Sequence, residues 1–227
     1  MAHSVLVIAD SGSGKSTSIR NLRPEETFII NIANKPLPFK GWKKNYTMIG
    51  KDNPNGNMAA TATAAGIMKA MMHVNDKMPH IKNLVVDDWQ YMSSFEYFDR
   101  ADEKGYDKFT SIAKNLAQVA KMPKDMRDDL YIFFLTHSEE STDVNGHRKV
   151  KAKTVGKMID NALTLEGLFS IVLFGKVVKG EDDKLSYVFE TVNNGENTCK
   201  SPDGMFDNAR IDNSLKVVKD AIIEYEN

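Results

Sequence analysis

The sequence predicts an α/β fold built on a mainly parallel central sheet. Short β-branched or aromatic runs alternate with segments of helical spacing, and the first run ends in a turn rich in glycine and serine. The runs are 4–8, 27–32, 83–86, 131–135 and 169–177, each bounded by polar residues, as buried strands are. One helical segment begins at that turn and stops before Pro24; the others are 61–77, 89–103 and 106–121. The alternation implies βαβ units with right-handed crossovers. After the fifth run, 185–192, the turn Asn193-Asn194-Gly195 and 198–200 read as an antiparallel hairpin on one edge. From an Asp212 or Ser214 cap to Tyr225, Leu215, Val218, Ile222 and Tyr225 fall on one face, the mark of an amphipathic closing helix. Residues 51–57 and 138–153 read as the least ordered.

A chain of 227 residues, 41% hydrophobic, buries one core, so a single domain is expected over 1–227. A net charge of -1 gives no molecule-wide field toward nucleic acid or membrane, and any such binding must come from local patches. The single Cys199 excludes an internal disulfide framework. No apolar run approaches the roughly 20 residues that span a bilayer, and no basic leader precedes the apolar 5–9. The expectation is a soluble cytoplasmic protein without a membrane partner, in the host cytoplasm if the gene is viral.

The turn reads ADSGSGKST, residues 9–17. It follows the pattern G-x-x-x-x-G-K-[ST], in which successive backbone N–H groups converge on a β-phosphate, except that Ala9 stands at the first glycine. Ser11, Gly12, Ser13, Gly14, Lys15, Ser16 and Thr17 are the expected nucleotide-binding residues. Lys15 reaches the β- and γ-phosphates, Ser16 places its hydroxyl on Mg²⁺, and the following helix points its positive end at the phosphates. The pattern also occurs by chance, but the strand before it and the helix after it are the context the motif requires.

Such a loop needs a carboxylate for the metal at another strand end, and LVVDD supplies it. Asp87 is the expected metal ligand; Asp88 orients water or caps the helix that starts near Trp89. The run ending FFLTHSEE brings Thr136 or His137 to a strand tip, with His137 preferred as a γ-phosphate sensor. Glu139 and Glu140 are candidate bases or ordinary solvated loop charges.

The order of these parts resembles the RecA-like core of P-loop ATPases, and more closely the phage-encoded AAA-type ATP-binding proteins that include the Sak-type single-strand annealing ATPases. The matching stretches are ADSGSGKST, LVVDDWQYM, FFLTH, TVGKMID leading into LEGLFSIVLFGKV, TCKSPDGMF and IDNSLKVVKDAIIEYE. The resemblance implies ATP hydrolysis with Mg²⁺ coupled to single-stranded DNA in phage recombination or replication, in a homo-oligomer, with a single-strand-binding protein as a further partner. It also implies that a neighbouring subunit completes the site with a cation. Lys200, on the second hairpin strand, matches that location, Arg210 matches it less well, and an edge-strand lysine that discourages aggregation is the plainer reading. One departure stands out: RecA-like enzymes carry a catalytic Glu at the end of the second strand, where this chain has TFIINIANK, with Asn31 and Asn34.

Two basic stretches are candidate DNA contacts. HRKVKAK brings Arg148, Lys149, Lys151 and Lys153 into the loop after the fourth strand. KPLPFKGWKK, with Lys35, Lys40, Lys43 and Lys44, mixes lysines with Phe39 and Trp42, a composition suited to phosphate contact and base stacking, although Trp42 packed in the fold is the plainer reading. Two other classes remain: a nucleotide-controlled adaptor with little hydrolysis, and a small-molecule kinase, which would need an Arg-rich lid that the sequence lacks.

Overall fold

The computed structural model describes residues 1–142, 146, 148–156, 163–180 and 183–227. Strand β1 (His3–Ala9) lies inside the sheet, parallel to β5 (Tyr131–Thr142) on one side and β7 (Ile171–Lys179) on the other. Beyond β5 come β4 (Asn83–Asp87), β2 (Thr27–Asn31) and the short β3 (Met58–Ala59), all parallel. Beyond β7 come β8 (Leu185–Glu190) and β9 (Arg210–Asp212), both antiparallel. The architecture is therefore α/β with a mostly parallel sheet and a C-terminal antiparallel hairpin.

Alternation along β1 divides the core between two faces. Leu6 and Ile8 pack with helices α2 (Ala64–Lys77), α3 (Gln90–Asp99) and α4 (Asp107–Lys121). Val5 and Val7 face the other way, toward Ile19, Leu22 and the closing helix, which we number α5 (Leu215–Glu226), beyond the short α1 (Trp42–Asn45). Local chemistry sets the ends: the Thr63 hydroxyl caps α2 by accepting from Gly66 N–H at 3.1 Å. Leu215, Val218 and Ile222 are the buried stripe of α5, while Tyr225 is exposed.

Three expectations are corrected. The segment after the glycine-rich turn is a 3₁₀ helix, Ser16–Asn21. Pro24 disfavours helical backbone at Arg23, and the Ser18 hydroxyl donates to Lys15 O at 2.6 Å, competing with the helix's own bonding. The stretch 138–153 is no irregular loop: β5 runs on to Thr142 and pairs with β6 (Arg148–Ala152) as an antiparallel ribbon. The hairpin partner of 185–192 is β7 before it and β9 after it, not 198–200. Asn193 and Asn194 accept from Gly195 and Glu196 N–H and hold an open loop, leaving Lys200 a single bridge to Val172. The packed alternative for Trp42 is what the fold shows: Phe39 and Trp42 pack against the second core and Phe39 meets Tyr46 edge-on, so neither ring is a free stacking platform.

Candidate functional site

Parallel strands bring their carboxyl ends to one edge, where open α/β sheets hold ligands. The β1–β5 register sets Ala9 opposite His137, and the β2–β4 register sets Asn31 opposite Asp87. The glycine-rich loop leaves β1 at this edge. Gly12 and Gly14 both have φ of 81°, a backbone region open to glycine at little cost. The residue that departs from the motif also finds its place: a Cβ built on Gly175 of β7 would lie 2.9 Å from the Ala9 methyl. The space that Ala9 fills is left by Gly175, opposite it in register.

Around the loop the side chains form one cluster. The Ser16 hydroxyl donates to Asp87 Oδ1 at 2.8 Å. Lys15 Nζ lies 3.4 Å from both His137 Nε2 and Asp88 Oδ1, and His137 Nε2 is 3.4 Å from the same oxygen. Lys35 forms an ion pair with Asp88 Oδ2. Asp88 is 1% exposed, and these nitrogens lie at ion-pair distance without hydrogen-bond alignment. Its backbone is left-handed, φ 59°, and Trp89 N–H bonds Leu135 O at 2.8 Å, fixing the turn from β4 into α3 against β5. For a non-glycine residue this conformation costs about 1–2 kcal/mol, least for Asn or Asp. A cavity of about 430 Å³, lined by the loop, Lys35, Asp88, His137 and Tyr187, opens over the cluster.

Comparison with protein-family models and with curated proteins returns no match. The chemistry of the cluster is therefore what speaks for function.

The two adjacent carboxylates are driven apart. Burial and the neighbouring Asp88 charge push Asp87 up to about 6, against the pull of the Ser16 hydroxyl and of Lys15 and Lys35. Burial pushes Asp88 the same way, but contacts with His137 and Lys35 and the Lys15 charge outweigh it, leaving Asp88 well below the usual carboxylate range. Burial also works against the Lys35 ammonium, and Asp88, with Asp87 behind it, more than compensates, so Lys35 is held protonated.

The expected residues fall into two groups. Lys15, Ser16, Asp88 and His137 line the cavity, and Asp87 is buried behind Ser16, which donates to it. Thr136 is buried, its hydroxyl 3.5 Å from Gln90 Oε1. Glu139 pairs with Lys151 at 3.1 Å and Glu140 with Arg148 at 2.6 Å, across the ribbon. Lys200 is exposed where it bridges Val172, and Arg210 bonds the buried Glu190 at 3.1 Å. Of TVGKMID, Lys157, Met158, Ile159 and Asp160 lie outside the described residues. His147 of the basic stretch does too.

Sequence reasoning missed three side chains. Gln90 Oε1 accepts from His137 N–H at 3.1 Å, and the Tyr91 ring meets the His137 ring edge-on at 5.9 Å, so the start of α3 holds the tip of β5. Lys35 was legible only as one lysine of a basic stretch. Its place comes from Asn31, whose amide donates to Lys35 O at 2.6 Å and whose carbonyl oxygen accepts from Lys35 N–H at 3.2 Å. No signal within 31–35 names Asp88 as the partner.

Among the described residues no three side chains of the types His, Cys, Asp and Glu converge as a metal cage. Magnesium rarely needs one, being commonly held by one or two protein oxygens, water and substrate phosphates. The hydrogen-bonded oxygens of Ser16 and Asp87 are hard donors of that kind, so they fit a Mg²⁺ that arrives with a phosphate ligand. Among the described residues no helix is long and apolar enough to cross a membrane.

Proposed function

We propose that the protein binds Mg·ATP in this cavity and hydrolyses it, as a RecA-like ATPase acting on single-stranded DNA. The observation that carries the reading is the hydrogen bond from Ser16 to the buried Asp87, with Ser16 and Lys15 lining the cavity at the glycine-rich loop. Strand order supports it: β5 stands between β1 and β4, so His137 lies between the loop and the carboxylates. Backbone N–H groups of 11–16 cradle the β-phosphate, and Lys15 neutralises charge between β- and γ-phosphates. Ser16 and Asp87 would hold Mg²⁺, which supplies charge stabilisation to the phosphoryl oxygens when bound. His137, held through its backbone by Gln90, contacts the γ-phosphate. Asp88, held ionised, accepts a hydrogen bond from the attacking water and orients it, a role for which Glu139, paired with Lys151, is less available.

The DNA contact is assigned to Arg148 and Lys149 at the outer part of β6, in a ribbon that begins beside His137. Ion pairing of Arg148 and Lys151 with the glutamates of β5 lowers the charge this ribbon offers, so the DNA contact is weaker than the bare sequence implies. In a homo-oligomer, Lys200 is the exposed cation that a neighbouring copy can contribute. A second reading, a nucleotide-controlled adaptor, is favoured by one observation: Asn31 at the end of β2 is engaged with the Lys35 backbone, and no carboxylate stands there. ATP turnover, measured with and without single-stranded DNA and with Lys15→Ala as control, separates them. DNA-stimulated turnover that Lys15→Ala abolishes is expected; binding without turnover gives the adaptor reading, and equal rates in all three refute the ATPase.

A further inference from the structure

We infer that Lys35 is a second phosphate-binding lysine, which grips the terminal phosphate of a bound triphosphate in cis. The inference rests on the ATP-site reading above and adds a residue to it that neither the loop motif nor the strand-tip carboxylates imply.

Four observations converge on Lys35. Its backbone is fixed from both sides by the Asn31 carboxamide, in a turn that Asn34 completes with a left-handed φ of 51°. Its ammonium reaches Asp88, a carboxylate 1% exposed that also has Lys15 and His137 at 3.4 Å. It lies 5.9 Å over the Tyr91 ring, the same ring that meets His137. And its side chain is 55% exposed and lines the cavity, so it is free to move while Asp88 is not.

A buried carboxylate surrounded by two ammonium groups and an imidazole marks a place where the fold concentrates donors for an anion. When a terminal phosphate enters beside Lys15 and His137, it brings more charge and more acceptor oxygens than one carboxylate. Lys35, held at its backbone and mobile at its tip, shifts from Asp88 toward the phosphate. Asp88, released from one cation, becomes the better acceptor for water. The end of β2 thus carries a cation-delivering turn where a base would be sought.

The test is a binding titration of wild type, Lys35→Ala, Lys35→Gln and Lys35→Arg with magnesium and either ADP or a non-hydrolysable ATP analogue. Only the analogue has the third phosphate. The expected result for Lys35→Ala and Lys35→Gln is analogue binding weakened roughly 10- to 100-fold, with ADP binding changed by less than about twofold and partial recovery in Lys35→Arg. Retained ADP binding shows that the loop and fold are intact. Equal losses for both nucleotides, or no loss for either, would overturn the inference and leave the ATP site standing. A wild-type protein that binds neither nucleotide would overturn both.

Discussion

The contact between Ala9 and Gly175 makes a quantitative prediction about why this loop tolerates alanine at its first position. Gly175→Ala introduces a methyl 2.9 Å from the Ala9 methyl, 3.6 Å from Phe189 Cε1 and 3.7 Å from Ser13 O. Ala9 and Phe189 are fully buried, so neither can swing into solvent. Overpacking of this kind costs about 1–3 kcal/mol. Ala9→Gly alone should cost about 1–2 kcal/mol, from one lost buried methyl and the greater freedom of glycine in a strand. In the double variant the small residue is moved from one strand to its neighbour and the clash is gone. The pair should therefore be more stable than the sum of the single effects by about 1–2 kcal/mol, against the few tenths typical of independent sites. Urea unfolding of the four proteins, followed by far-UV circular dichroism, measures this coupling. Additivity within about 0.5 kcal/mol would refute the packing argument.

Two further predictions concern the carboxylates. Asp88→Gly and Asp88→Ala both delete the charge, but only glycine tolerates φ of 59° freely, so Asp88→Gly should be the more stable by about 1 kcal/mol, the reverse of the usual order in a regular element. Chemical denaturation decides it, and an alanine variant at least as stable as the glycine one contradicts the left-handed turn. Asp87, raised from 3.8 to about 6 in the folded chain, favours the folded state fully below about pH 4, and this contribution is lost as pH rises through about 6. The difference corresponds to about 3 kcal/mol, so Asp87→Asn should flatten the fall in stability over that window, while magnesium-dependent nucleotide binding in wild type should strengthen over it as Asp87 ionises. An Asp87→Asn protein with the wild-type pH profile of stability, or magnesium dependence that is flat through about pH 6, would contradict this.

Much of the framework was legible in the residues. The five apolar runs and the helices α2, α3, α4 and α5 follow from periodicity, and the glycine-rich loop from a motif whose parts are consecutive, whereas the bond from Ser16 to Asp87 needed the sheet. The ribbon is hidden from the sequence because Ser138–Thr142 and Arg148–Ala152 carry charges on both faces, and only pairing with each other makes strands of them. The hairpin differs from the expected one because its closing strand, β9, is a short run far along the chain, whereas the Asn-Asn-Gly turn before 198–200 has the local composition of a tight connection.

By itself the sequence determined the glycine-rich turn, the strand that precedes it, and the carboxylate pair at the end of β4, because each depends on neighbours within a few bonds. Tertiary structure alone decided that His137 stands opposite Ala9, that Gly175 makes room for the Ala9 methyl, that Arg148 and Lys151 pair with Glu140 and Glu139, and that Lys35 reaches Asp88. Strand order and register bring these groups together from distant parts of the chain, and the burial that shifts Asp87 and Asp88 in opposite directions exists only once the sheet has closed around them.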